Sequence, residues 1–162
     1  MCRKKHISQE NEITEYRTII CRRGQKIPAV FIPSSREENV SQSFRHILDH
    51  AIHSAEIFSQ CNPMLVGTGG LVLFPGTSLL DEAEKCEFTP LSEKDMLVEL
   101  KTFVKHLTCD CTFITHHTVS GKNLTGPDFL SRKDRIVAAL EDEITHGDMD
   151  QLAAIRRTKR TL

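Results

Sequence analysis

This sequence has no long hydrophobic run, no excess of one charge, no internal repeat and no low-complexity segment. No apolar stretch reaches the roughly 18 residues needed to cross a bilayer, so a membrane-spanning helix is not expected. The formal net charge is −1, which gives no electrostatic basis for binding nucleic acid or an anionic membrane surface. The opening residues Met1-Cys2-Arg3-Lys4-Lys5-His6 are basic, but no apolar core follows them. A secretory signal is therefore not expected, and the chain reads as cytoplasmic. Asn123-Leu124-Thr125 fits the glycosylation sequon but carries no meaning without such a signal.

Several catalytic signatures are also missing. His46, His50 and His53 share one helical stripe, yet the His-Glu-x-x-His arrangement of a zinc protease is absent, and a solvated face is the default reading. Gly67-Thr68-Gly69-Gly70 is followed by Leu71-Val72, without the Lys-Ser/Thr of a phosphate-binding loop. Its glycines fit close packing within a strand. No nucleophile elbow is visible. The six cysteines (Cys2, Cys21, Cys61, Cys86, Cys109 and Cys111) are scattered, and a disulfide framework is not expected of a cytoplasmic chain of this length.

What is present suits one ordinary globular unit: 162 residues, 39% hydrophobic and 27% charged, enough to bury a core. The spacing of Ile13, Tyr16, Ile20 and Cys21 predicts a helix from Gln9 to Arg23, stopped by Gly24. Ile27 to Ile32 reads as a short strand closed by Pro33. Ser41 to Phe58 reads as an amphipathic helix burying Phe44, Ile47, Leu48, Ala51, Ile52, Ala55 and Phe58. Val66 to Phe74 is the next strand, ended by a Pro-Gly turn, and Ser78 to Lys85 a short helix.

Ser92-x-x-Asp95 resembles a capping box and opens a helix striped by Met96, Leu97, Leu100, Phe103, Val104 and Leu107. Cys109 to Thr115 reads as a third strand, His116 to Asp128 as a long polar loop, and Arg132 to Thr145 as a helix stopped by Gly147. Asp148 caps a last charged helix. Strands alternating with helices imply a parallel sheet, and three apolar strands cannot cover both faces and both edges of one. The expected fold class is therefore α/β, a piece of a larger barrel or sheet completed by other sequence or a second chain.

Two further groups carry possible chemistry. Cys109-Asp110-Cys111 places two thiols on one face of a strand, beside His116 and His117. A zinc site there lacks a nameable fourth ligand, and buried structural cysteines are the default. Arg156, Arg157, Lys159 and Arg160 read as a solvated helix end, favourable at the negative pole of the dipole.

The stretch from Asn62 to Thr77, with its Phe74-Pro75-Gly76-Thr77 turn, is similar to a late barrel strand of radical S-adenosylmethionine (SAM) iron–sulfur oxidoreductases. The likeness continues through Leu79 to Ala83, Glu87 to Ser92, Thr115-His116-His117-Thr118, Phe129 to Ile136 and Glu143 to Asp148. It implies a partial parallel (β/α) barrel fragment over residues 1–90 with an α-helical C-terminal extension over residues 91–162, in enzymes whose earlier half binds a 4Fe–4S cluster and SAM. It further implies that Phe74, Pro75, Gly76 and Thr77 lie on the cofactor and substrate side, with His117 as the catalytic candidate.

The Cys-x3-Cys-x2-Cys cluster motif of such enzymes does not occur here, and Pro33-Ser34-Ser35-Arg36-Glu37-Glu38 stands where relatives have a glycine-rich turn. The expectation is a C-terminal part that binds no cofactor by itself. Its expected partner is a cluster-bearing N-terminal half or, through an exposed strand edge, another copy. The alternative expectation is a non-catalytic scaffold protein derived from such an enzyme.

Overall fold

The computed structural model describes residues 17–20, 26–29, 40–71, 73–116 and 124–158, with side chains from residue 45 onward except 72 and 116. The elements in order are β1 (Arg17–Ile20), β2 (Lys26–Ala29), α1 (Val40–Cys61), β3 (Leu65–Gly69), α2 (Ser78–Glu84), α3 (Glu93–His106), β4 (Thr112–His116), α4 (Phe129–His146) and α5 (Met149–Thr158). The protein is mixed α/β and mostly helical.

Helix boundaries follow local chemistry. Thr77 caps α2, its hydroxyl accepting from Leu80 N. Ser92 caps α3, accepting from Asp95 N at 3.2 Å while donating to the Asp95 carboxylate at 2.6 Å. Asp148 accepts from Gln151 N at 2.9 Å at the start of α5. α4 begins differently. Asp128 sits in the left-handed region (φ 52) and its side chain makes no cap bond. Instead the Phe129 amide donates to Cys111 O at 3.1 Å and the Leu130 amide to Asp110 Oδ1 at 3.4 Å. The segment entering β4 therefore caps the next helix from outside it.

The strands depart from the expectations. Arg17–Ile20 is strand where helical spacing predicts helix, and it pairs antiparallel with β2, Ile19 opposite Ile27. The β-branched run Thr18-Ile19-Ile20 is stiff at χ1 and suits a pleated surface better than a helical turn. Residues 9–16, 21–23 and 30–32 of those two predicted elements lie outside the described residues. β3 ends at Gly69 rather than Phe74, because glycines at 69 and 70 give a ladder no side chain to pack. β4 starts at Thr112, three residues later than Cys109.

β3 and β4 form a parallel pair in the register Leu65↔Thr112, Val66↔Phe113, Gly67↔Ile114, Thr68↔Thr115 and Gly69↔His116. The far edge of β4 is bridged by Gly126, which exchanges two backbone hydrogen bonds with Phe113 (2.9 and 2.8 Å). Val66 and Phe113, neighbours in the ladder, bury one face of the pair against the core. That core gathers Ala51 and Ala55 of α1, Leu97, Leu100, Phe103 and Val104 of α3, Ile136 and Leu140 of α4, and Leu152 of α5. Phe58 meets Phe103 edge-on at 5.7 Å, and Phe113 meets Phe129 at 5.3 Å. Each such buried ring or branched chain contributes about 1.5–3 kcal/mol.

The opposite face of β3–β4 is different. Leu65 is 50% exposed, Gly67 is exposed with nothing within 4 Å of where a Cβ would stand, and Ile114 is half-buried. Among the described residues no second strand pairs with β3. No described helix is long and apolar enough to cross a membrane.

Candidate functional site

Parallel strands deliver their loops to one end, and in α/β folds that end carries the chemistry. Here Gly69 and His116 close the ladder side by side, so the segment running to Thr77 and the one beginning at residue 117 depart from the same edge. The topology thus brings together the starting points of both halves of the sequence-predicted site. His117 itself lies outside the described residues.

Phe74, Pro75, Gly76 and Thr77 form a tight turn. Thr77 donates to Phe74 O twice, from its amide at 3.3 Å and its hydroxyl at 2.7 Å. Gly76 has φ +83, the value a type II turn demands at its third residue and that glycine alone reaches without strain. The same Thr77 hydroxyl accepts from Leu80 N. Its polar atoms are thus committed to turn and cap, and the surfaces left for a ligand are the exposed Pro75 and Gly76 backbone and the half-buried Phe74 ring.

Cys109 and Cys111 precede β4 and are each 5% exposed. Burial pushes both thiols up, Cys111 to about 12. Both are protonated at neutral pH. Cys86 is disulfide-bonded. A 4Fe–4S cluster that leaves one iron for SAM needs three thiolates. Among the described residues no group of three or more His, Cys, Asp or Glu is arranged to hold a metal ion. The described donors do not make up that set. Of the histidine stripe, His46 and His53 are exposed, and half-buried His50 places Nδ1 3.4 Å from Ser54 Oγ.

Three groups escape sequence reading. Glu99, on the flank of the α3 stripe, has a buried Oε1 without a hydrogen-bond partner, and burial raises its carboxyl to about 7. Arg132 reaches back from α4 to the carbonyls of Leu124, Thr125 and Pro127, fastening the loop that bridges β4. Arg156 is no solvated helix end. Its Nη2 lies 2.7 Å from Glu93 Oε1, an ion pair by distance although its angles make no hydrogen bond, and Nη1 reaches Leu91 O and the Met96 sulfur. Only the charge of each residue is visible in sequence; the partner is set by packing.

No protein-family model, curated protein or solved structure matches the chain at a significant level.

Proposed function

We propose that this chain is the C-terminal part of a radical SAM-like iron–sulfur oxidoreductase, forming a wall of a partial parallel barrel whose cluster ligands come from other sequence. The observation that carries the reading is the β3–β4 pair, whose Val66 and Phe113 face is packed into the helical core while Leu65 and Gly67 on the other face are left exposed by the described residues. Parallel strands are ordinarily covered on both faces. Helices outside and an open inner face is what a segment of barrel wall presents. On this reading Phe74 to Thr77 and His117 line the mouth, His117 being the residue for proton transfer because an imidazole titrates near neutrality. No step through the cluster is assigned to this chain, whose described donors do not suit one.

Anaerobic reconstitution with iron and sulfide tests the assignment. The isolated chain is expected to take up no stoichiometric cluster, whereas mixing with a protein carrying the cysteine triplet yields a cluster-loaded complex that retains this chain. A stoichiometric 4Fe–4S spectrum on the chain alone overturns it.

A second reading, a scaffold protein derived from such an enzyme, is favoured by the exposure of Met64 (65%) and Leu65 at the start of β3, apolar surface of the kind found at interfaces. Concentration-dependent dimerisation in sedimentation, lost on Leu65→Lys, supports this reading. A monodisperse monomer at high concentration counts against it.

A further inference from the structure

The last helix is used by neither reading and stands on different observations. α4 and α5 meet at a two-residue corner, Gly147-Asp148, and each closes its own backbone bonds there. Gly147 N donates to Glu143 O at 2.8 Å, ending α4. Leu152 N donates to Asp148 O at 3.1 Å and Gln151 N to the Asp148 carboxylate at 2.9 Å, starting α5. Gly147 is extended (φ −68, ψ 149), and a Cβ there would stand 2.3 Å from Glu143 O. The chain thus turns between two self-contained helices on a residue without a side chain.

Little apolar surface holds α5 down. Leu152, 4% exposed, is its buried side chain. The rest of the attachment is polar and runs through Arg156 to the start of α3. Its Nη2 lies 2.7 Å from Glu93 Oε1, and its Nη1 lies 3.4 Å from both Leu91 O and the Met96 sulfur. Glu93 Oε1 is shut off from solvent and accepts no hydrogen bond. The guanidinium charge beside it is therefore what offsets its lost hydration.

We propose that α5 is a hinged strap that swings about Gly147 as one unit while α1, α3 and α4 stay folded, with the Arg156–Glu93 pair as its latch. Segments with few buried apolar contacts open at free energies well below global unfolding. Removing the Arg156 charge while the strap is closed leaves a buried carboxylate oxygen uncompensated, and opening relieves it by admitting water. Opening also withdraws Arg156 from Met96 and exposes Leu152; Met96 and Leu152 are both buried when the strap is shut.

The test is hydrogen exchange of the full chain, read peptide by peptide by mass spectrometry. In wild type the α5 amides are expected to exchange together, about 100-fold or more faster than those of α3 and α4. Arg156→Met keeps the aliphatic stem and deletes the charge; it should speed α5 by roughly 10-fold or more and leave α3 and α4 unchanged. Adding Glu93→Gln makes both sides of the latch neutral, and α5 should slow again. A stem that merely packs would leave the double variant as fast as Arg156→Met. Should a variant fail to fold by circular dichroism, the wild-type order of exchange in low urea decides. Exchange of α5 at the α3 rate, progressive fraying back from Thr158, equal acceleration of all helices in Arg156→Met, or no slowing in the double variant each overturns the proposal.

Discussion

Glu99 and His50 are ionisable groups with buried, unpartnered atoms on packed helices, and they set opposite pH dependences. The Glu99 carboxyl is raised from 4.5 to about 7 by desolvation. Its folded pKa lies above its unfolded one, so its contribution is fully present below pH 4.5 and is lost as pH rises through about 7. Glu99→Gln removes the ionisation, and at pH 8 the variant should be more stable by about 2–3 kcal/mol, with no gain at pH 4. Urea unfolding across that range measures it. An equal offset at both pH values would show that the carboxyl is not desolvated.

His50 is shifted downward, first by burial and then by neighbouring His53. Its contribution is present above the ordinary imidazole range and lost as pH falls below 6.5. His50→Gln should flatten the acid limb of the same stability profile.

Gly126 belongs to the residue scale too. At φ +154 an L side chain is strained, and its Cβ would stand 2.3 Å from Arg132 Nη1. Gly126→Ala should cost about 1–3 kcal/mol, read as a lower denaturation midpoint with an unchanged slope. Arg132→Ala in the same background should recover little, because the backbone strain remains.

At the scale of elements, much of the architecture is legible before folding. The stripes of α1, α3 and α4 repeat every three to four residues, and Thr77, Ser92 and Asp148 occupy cap positions that local chemistry dictates. Ser92→Ala should destabilise by about 1 kcal/mol, the usual worth of such a cap, measurable by thermal unfolding.

Strands are less legible because pairing decides them. Arg17–Ile20 has apolar positions that satisfy a helical spacing and a β-branched run that satisfies a strand, and only the partner Lys26–Ala29 separates the two. β3 loses the length that apolar composition suggests once Gly69 and Gly70 interrupt it. The candidate site divides the same way. The Phe74 to Thr77 turn is written in Pro-Gly and Thr, whereas the side-by-side placement of Gly69 and His116 depends on a register set by Val66 and Phe113 packing into a shared core. Asp110 as a cap for α4 needs the fold to be seen at all.

At the scale of the whole molecule, the one-sided cover of β3–β4 makes a test that separates folding from assembly. Gly67 is on the bare face, without positive φ and with open space where a side chain would project. Gly67→Val adds a β-branched residue to a strand, so the isolated chain should hold its stability within about 0.5 kcal/mol. If that face is where a complementary protein or another copy sits, the same variant should abolish co-purification or dimerisation. Loss of stability without loss of association would assign the glycine to the fold instead.

The fastening of residues 107 to 113 also has a kinetic meaning. Their amides and carbonyls are engaged by Ser59, Met64, Gly126, Phe129 and Lys133, which belong to two separated stretches of the chain, 59–64 and 126–133. Solvent deuterium can reach these amides only when all of those attachments release together, so exchange at Thr112 and Phe113 should report the global opening rate, while the exposed α2 turn exchanges orders of magnitude sooner.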